Sequence, residues 1–134
     1  MAKPAVTLPD PERLTIDALA GVGTTRSPKY PAASLTGSST HLQVELEASN
    51  SADYPVTERA QMRVTCHAGP GKRDEVKDLA GEVLMTLYTY PGSADLAGFV
   101  PLGGRSAVSV DPDTQNVMCW VLVRADLIAT TVAL

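Results

Sequence analysis

The chain has 134 residues, of which 44% are hydrophobic and 19% charged, and its formal net charge is −4. This composition is typical of one globular domain and excludes a largely disordered chain. The excess of acidic residues excludes a tight nucleic-acid binder, because such proteins neutralise several phosphates with clustered Lys and Arg.

The apolar segments and the N-terminus can be compared with the patterns of membrane-spanning helices and secretory signals. No apolar run approaches the roughly 20 residues that a helix needs to span a bilayer. Residues 1–8 lack the basic segment followed by an apolar segment that forms a secretory signal. We therefore expect a soluble protein, with a single domain over residues 1–134, that stays in the compartment where it is made and does not enter a membrane.

The first predicted element is a short helix over residues 10–20. Asp10 suits the N-cap, and Pro11 suits the first helical position, because its missing N–H would be unpaired there in any case. Gly21 indicates where the helix stops.

Residues 22–40 are rich in Gly, Ser, Thr and Pro and contain few apolar residues. Thr24 and Thr25 suit a short strand, which ends before Pro28. The remainder, from about residue 26 to residue 40, is predicted to be an irregular loop.

The first long strand is predicted over residues 41–49, where apolar and polar residues alternate. Its apolar face carries Leu42, Val44, Leu46 and Ala48. Its other face carries Gln43, Glu45 and Glu47, so we expect a strand that is buried on one side and hydrated on the other.

A second long strand is predicted over residues 57–68, after a turn at residues 50–54. Its apolar side chains are Met62, Val64, Cys66 and Ala68. Its polar side chains are Gln61, Arg63, Thr65 and His67. The two long strands are expected to form an antiparallel pair, in which Glu45 or Glu47 faces Arg59 or Arg63.

The strongest pattern in the sequence predicts a second helix over residues 74–87. Its apolar residues recur at the spacing of one helical face: Val76, Leu79, Ala80, Val83, Leu84 and Leu87. Asp74 suits the N-cap, and Gly81 lies on the opposite side, where it costs about 1 kcal/mol relative to Ala. The helix is therefore expected to depend on packing against a sheet.

The C-terminal third is predicted to form the remaining strands. A strand is expected over residues 98–102 or over residues 106–110, followed by a turn at residues 111–113. Residues 117–125 are apolar on both faces, which predicts a strand that is central in the sheet or covered by a partner chain. Residues 127–134 are expected to pack on the domain or to donate an edge strand. The predicted fold is α+β, with two helices packed on a mainly antiparallel or mixed sheet of four to five strands.

Residue types that bind nucleotides or metals, or that catalyse, are present without the spacing that such sites need. Gly69-Pro70-Gly71-Lys72 lies between a strand and a helix, yet a phosphate-binding loop needs Gly at position 66 and Ser or Thr at position 73. The acidic turn around Asp111 lacks the Gly and Glu that a calcium loop requires. No serine lies in a Gly-x-Ser-x-Gly motif.

His41, His67, Cys66 and Cys119 are the only histidines and cysteines. Neither histidine has other ligands at metal spacing, so both are expected to be solvated or hydrogen-bonded surface residues. Both cysteines lie in apolar strand patterns and are expected to be small buried hydrophobes rather than a disulfide or metal ligands. We therefore predict no catalytic residue, no cofactor and no metal site, and a protein that is not an enzyme.

Several segments, taken in order, form a pattern that spans most of the chain. They are the capped helix at residues 10–20, VGTTRSP at 22–28, RVTCHA at 63–68, the helix at 74–87, VSVDPD at 108–113 and WVLVR at 120–124. This order of elements resembles that of the tail terminator proteins of long-tailed bacteriophages.

The resemblance implies a structural virion protein that is assembled in the host cytoplasm and resides at the neck of the tail. Members of that family form a ring, typically a hexamer, that caps the tail tube and ends its polymerisation. The implied partners are other copies of this chain, the tail tube protein, and the head connector or head-completion protein. DNA passes through the lumen without specific binding, which agrees with the lack of a basic patch in this sequence.

A closed ring of identical subunits needs a heterologous interface, in which two different patches of each subunit meet. The expected interface residues are Glu45, Glu47, Arg59, Arg63, Thr65, His67, Trp120 and Arg124. An exposed strand edge is a second way for neighbouring subunits to pair. Two other functions remain open: a head-completion or other neck protein of the same virion, and a small-molecule-binding α+β domain.

Overall fold

A computed structural model describes residues 6–51 and 57–131 of the chain. Its elements are β1 (Val6–Thr7), α1 (Pro11–Ala18), β2 (Thr25–Ser27), β3 (Thr40–Ser51), β4 (Thr57–Ala68), α2 (Arg73–Tyr88), β5 (Leu96–Pro101), β6 (Ser109–Val110), β7 (Val117–Ile128) and β8 (Thr130–Thr131). The main sheet has six strands in the order β2-β3-β4-β7-β5, and β6 also pairs with β7. Only β2 and β3 are parallel among these pairs. The predicted α+β class, with a mixed sheet and two helices, is confirmed.

The long strands pair so that apolar residues of neighbouring strands lie opposite each other. β3 and β4 are antiparallel, with Leu42 opposite Cys66, and β4 is antiparallel to β7, with Cys66 opposite Cys119. β7 lies between β4 and the shorter strands β5 and β6, so the prediction of a central strand is confirmed. The two regions offered as alternatives for the strand before β7 both contain strands, which explains why the sheet has more strands than expected.

The two helices cover one face of the sheet, which we call the inner face. The buried residues of α2 are five of the six in the predicted stripe: Val76, Leu79, Ala80, Val83 and Leu87. The sixth, Leu84, is partly buried against the same core. Fully burying each large apolar side chain of this kind contributes about 1.5–3 kcal/mol, so this packing stabilises a helix that has a glycine at its centre. Cys66 and Cys119 are free thiols buried on the same face, as predicted.

The helix starts and ends differ partly from prediction. The Asp10 carboxylate accepts the Glu12 N–H at 3.0 Å and caps α1 as expected, but the helix ends at Ala18 rather than at residue 20. The prediction that Asp74 caps α2 is wrong, because the N-cap is Lys72. The turn from residue 69 starts the helix earlier, and the Asp74 carboxylate lies in the first turn, where the helix dipole favours negative charge.

A β-bulge interrupts β3 between Leu46 and Ala48. The extra residue moves Ala48 to the opposite face of the sheet, where it pairs with Gln61, so the predicted apolar face is wrong at this position. Leu46 is 41% exposed, and its N–H donates to the Glu12 carboxylate of α1 at 2.9 Å. Strict alternation in the sequence gives no sign of this bulge.

The two ends of the described chain meet in a separate two-stranded sheet. Val6 of β1 lies opposite Thr131 of β8, so the C-terminal segment pairs within its own chain. Residues 52–54 of the predicted turn, residues 1–5 of the segment tested for a secretory signal and residues 132–134 of the tail lie outside the described residues. Neither of the helices in the described ranges is long and apolar enough to cross a membrane.

Candidate assembly surface

The face of the sheet opposite the helices, which we call the outer face, carries all eight predicted interface residues. Strand register places them together, because Glu45 lies opposite Arg63 and Thr65 lies opposite Trp120. The outer face has two parts. Its covered half consists of His41, Gln43, Thr65, His67 and Met118. Its open half consists of Glu45, Glu47, Arg59, Gln61, Arg63, Trp120, Leu122, Arg124 and Asp126.

The covered half lies beneath residues 29–35, which we call the strap. The strap has no helix or strand, and the side chain of buried Asn116 fixes its backbone. Asn116 Nδ2 donates to the Ala33 carbonyl at 3.0 Å, and the Leu35 N–H donates to Asn116 Oδ1 at 2.9 Å. Ser34 Oγ also donates to the Thr114 carbonyl at 2.6 Å. One buried amide and its turn therefore hold the irregular loop that the sequence predicted.

Tyr30 joins the strap to the turn between β6 and β7. Its hydroxyl donates to the Asp111 carboxylate, which also accepts the N–H groups of Asp113 at 2.7 Å and Thr114 at 3.0 Å. The Tyr30 bond and these backbone bonds lower the pKa of Asp111 to about 2. Burial and the same carboxylate raise the pKa of Tyr30 to about 12. The pair is therefore a neutral phenol donating to an ionised carboxylate over the whole physiological range.

His67 is fully buried beneath the strap and His41 is only 9% exposed, so the prediction that both histidines lie on the surface is wrong. Its Nε2 lies 3.0 Å from Gln43 Oε1, and the Tyr30 ring meets the imidazole edge-on at a centroid distance of 5.0 Å. Burial, followed by the nearby His41, lowers the pKa of His67 to about 4, against a smaller opposing effect of Asp111. His67 and Thr65, which is 7% exposed, therefore offer little surface to a neighbour in this conformation.

Four of the six charged residues of the open half are paired within the subunit. The Arg63 guanidinium lies 4.6 Å from the centre of the Trp120 ring and forms an ion pair with Glu47. Gln61 Nε2 donates to the same carboxylate at 2.9 Å. Arg63 and Glu47 thus pair as predicted, although the bulge, rather than direct register, brings them together. The ring and the guanidinium form one half-buried unit on this face.

Two further charges of the open half also face each other. Arg124 donates to both oxygens of Asp126, at 2.7 and 3.0 Å. A groove of about 310 Å³ runs beside this pair and is lined by Ala48, Ser49, Asn50, Arg59, Gln61, Leu102 and Arg124. The described parts of the chain contain no group of three or more His, Cys, Asp or Glu side chains that could hold a metal ion.

The two edges of the main sheet are less suited to pairing with another chain than the open half. Beyond Gln43, where β2 no longer pairs with it, β3 forms one edge and has its bulge between Leu46 and Ala48. The other edge strand, β5, has a bulge between Leu96 and Gly98. Glu12 also occupies the Leu46 N–H on the β3 edge. Bulges and capped donors are the devices by which natural sheets prevent edge-to-edge association. The open half is therefore the stronger candidate surface.

The sequence prediction missed Leu122 and Asp126, which lie on the outer face with Trp120 and Arg124. The signal was available, because residues of even number from 118 to 128 alternate with the buried residues of β7. The strap left no such signal, since its contacts join residues about 80 positions apart.

Neither the comparison of this sequence with models of known protein families nor that with curated protein sequences finds a match.

Proposed function

We propose that this chain is a ring-forming structural subunit, and that its role is that of a tail terminator, which caps the tail tube of a long-tailed bacteriophage and joins it to the head connector. The observation that carries the assembly proposal is the open half of the outer face. Trp120 and Leu122 are half-buried there beside two ion pairs within the same subunit, Arg63 with Glu47 and Arg124 with Asp126.

This arrangement suits a protein–protein contact for a physical reason. Covering an unpaired charge is costly, whereas an ion pair with its hydrogen bonds in place can be covered at lower cost. Tryptophan and arginine are also the residues most often found at the energetic centre of protein interfaces. The Arg63–Trp120 unit combines both. A neighbouring subunit is the occupant that a heterologous ring requires.

The terminator role rests on the resemblance in the order of segments. The net charge of −4 supports it, because a lumen without a basic stripe lets DNA pass without strong phosphate contacts. A head-completion or other neck protein is the nearest alternative. In a phage that lacks this gene, electron microscopy should show overlong tails and unattached heads. Tails of normal length would contradict the terminator role and favour the alternative.

Light scattering of the purified protein tests the assembly proposal directly. A hexamer has a mass of about 85 kDa, against 14.1 kDa for the single chain. Trp120→Ser with Leu122→Ser should reduce the mass to that of the monomer, because both changes remove apolar surface from the centre of the open half. Tyr88→Ser is the matched control: Tyr88 is 62% exposed, but it lies on α2 at the other side of the sheet. A ring that tolerates the first variant and is lost in the control would overturn the choice of surface.

The groove beside Arg59 and Arg124 favours one further function, the binding of a small anionic molecule. That function predicts a monomer or dimer whose melting temperature rises with an anionic ligand. A stable ring whose melting temperature is indifferent to inorganic phosphate and to small carboxylates would exclude it.

A further inference from the structure

The buried histidine beneath the strap has one nitrogen with no hydrogen-bond partner. His67 Nε2 faces Gln43 Oε1, so the neutral ring carries its proton on Nε2 and leaves Nδ1 as an acceptor. Nδ1 is buried and has no partner among the residues that the structure describes. A second proton on this ring would therefore form an N–H with no acceptor in a site that excludes water.

The groups around His67 decide whether such a proton could be stabilised in place. From β3, the His41 ring lies at a centroid distance of 5.9 Å and adds like charge when it is protonated. From the turn before β7, the Asp111 carboxylate has a charge that favours the cation, but it already accepts a hydrogen bond from the Tyr30 hydroxyl. From the strap, Tyr30 presents its ring and no acceptor to the imidazole. Met118 of β7 is uncharged. The closed site thus favours neutral His67.

The hydrogen bonds that hold the strap lie near its two ends, and Pro31 between them is buried. Lys29 and Tyr30 contact His41 and Asp111 at one end, and residues 33–35 bind Asn116 and Thr114 at the other. Leu35 also crosses Gly69 closely: a Cβ added to Gly69 would lie 2.6 Å from the Leu35 carbonyl oxygen. A side chain at position 69 would therefore prevent the strap from reaching this position.

We propose that the strap is a proton-sensitive cover of the outer face, which opens when His67 takes up a proton at Nδ1 and thereby adds the covered half to the exposed surface. Water admitted by the opening supplies the acceptor that the closed site lacks. The device requires only the isolated chain, so it stands or falls independently of the proposed ring.

Linkage gives the size of the effect. A pKa of about 4 beneath the closed strap, against 6.5 for a solvated histidine, means that the ratio of closed to open strap falls about 30-fold between pH 8 and pH 5. Hydrogen–deuterium exchange of the full chain measures this ratio at the Leu35 N–H, after correction for the intrinsic effect of pH on exchange. Amides of β4 and β7 serve as the internal reference, because global unfolding would affect them equally.

His67→Phe removes the titrating group while keeping a ring beneath Tyr30. Its strap should show the same protection at both pH values. Strap protection in the native chain that changes less than about threefold, or an undiminished change in His67→Phe, would overturn the proposal.

A second test works in reverse and introduces no change in ionisable groups. Gly69→Ala should displace the strap at neutral pH and raise the pKa of His67 towards 6.5, because coupling between closure and protonation is reciprocal. Gly104→Ala is the matched control, since a Cβ there meets nothing within 4 Å. The two-dimensional NMR spectrum of the imidazole groups reports the titration of His67 in each variant. A displaced strap with an unchanged His67 titration would refute the coupling even if His67→Phe failed to fold.

Discussion

The two halves of the outer face lie on the same strands but are completed in different ways. In the covered half, a segment of the same chain seals His67, and buried Asn116 binds two backbone groups of that segment. In the open half, Arg63 and Trp120 remain half-exposed and are stabilised by side-chain pairs on neighbouring strands. The covered half is buried like core, whereas the open half keeps Arg63 and Trp120 partly accessible to solvent.

The comparison shows that polar residues on one strand face can have opposite uses. His67 and Arg63 lie four residues apart on the same face of β4, and the alternation of the sequence does not distinguish them. One becomes a buried neutral group, and the other remains a charged group on the surface. The difference comes from the strap, which covers His67 but does not extend over Arg63.

The largest expected effect comes from removing the amide that holds the strap. Asn116→Ala leaves the Ala33 carbonyl and the Leu35 N–H without partners, and should lower the free energy of unfolding by about 3 kcal/mol. Asn50→Ala, an exposed site in the groove of the open half, should change it by less than about 0.5 kcal/mol. Urea unfolding followed by Trp120 fluorescence measures both. Equal losses of unfolding free energy in the two variants would contradict the distinction between the two halves.

The next effect in size is the loss of stability in acid. The unfolded chain binds a proton at His67 with a pKa of 6.5 and the folded chain only near 4, so stability is full above pH 6.5 and falls as the pH falls. The expected loss is about 2 kcal/mol between pH 7.5 and pH 5. Asp111 does not contribute in this window, because its pKa is lowered and its effect begins only below about pH 4. His67→Phe should be flat over the same range in urea titrations.

A smaller effect is expected for the contact between Arg63 and Trp120. A double-mutant cycle of Arg63→Met and Trp120→Leu should give a coupling of about 1 kcal/mol in the monomer, as is typical of a guanidinium stacked on an indole. The measurement is made at a protein concentration where light scattering shows single chains. A coupling near zero would mean that the pair is not preorganised for contact with a neighbour.

The smallest expected effect concerns the ion pair between Arg124 and Asp126. About a third of each side chain is exposed, so Arg124→Gln should cost at most about 0.5 kcal/mol, and added salt should reduce that cost further. Chemical denaturation at low and high salt provides the measurement. A loss of more than about 1.5 kcal/mol in the free energy of unfolding would contradict this prediction. The pair would then contribute as much as a buried hydrogen-bonded group such as Asn116.

The parts of the fold that follow local rules could be predicted from the sequence. Alternation located β3 and β4, a stretch that is apolar on both faces located β7, and the apolar stripe of α2 predicted its buried face. The bulge at Ala48 could not be predicted, because inserting a residue changes the pairing without breaking the alternation. The burial of His67 was also beyond reach, since it depends on a loop whose contacts lie far away in the chain. Which residues share a strand face could therefore be predicted from the sequence, whereas their coverage by a loop could not.

The buried thiols provide a way to observe the core separately from the outer face. Cys66 and Cys119 face each other across β4 and β7 on the inner side, and burial followed by the neighbouring Cys119 raises the pKa of Cys66. Only a thiolate reacts readily with disulfide reagents, so the folded chain should resist oxidation and cross-linking in air. Release of the strap uncovers the other side of the sheet and leaves both sulfur atoms enclosed. The rate at which a thiol reagent modifies this protein therefore measures how often its whole core opens.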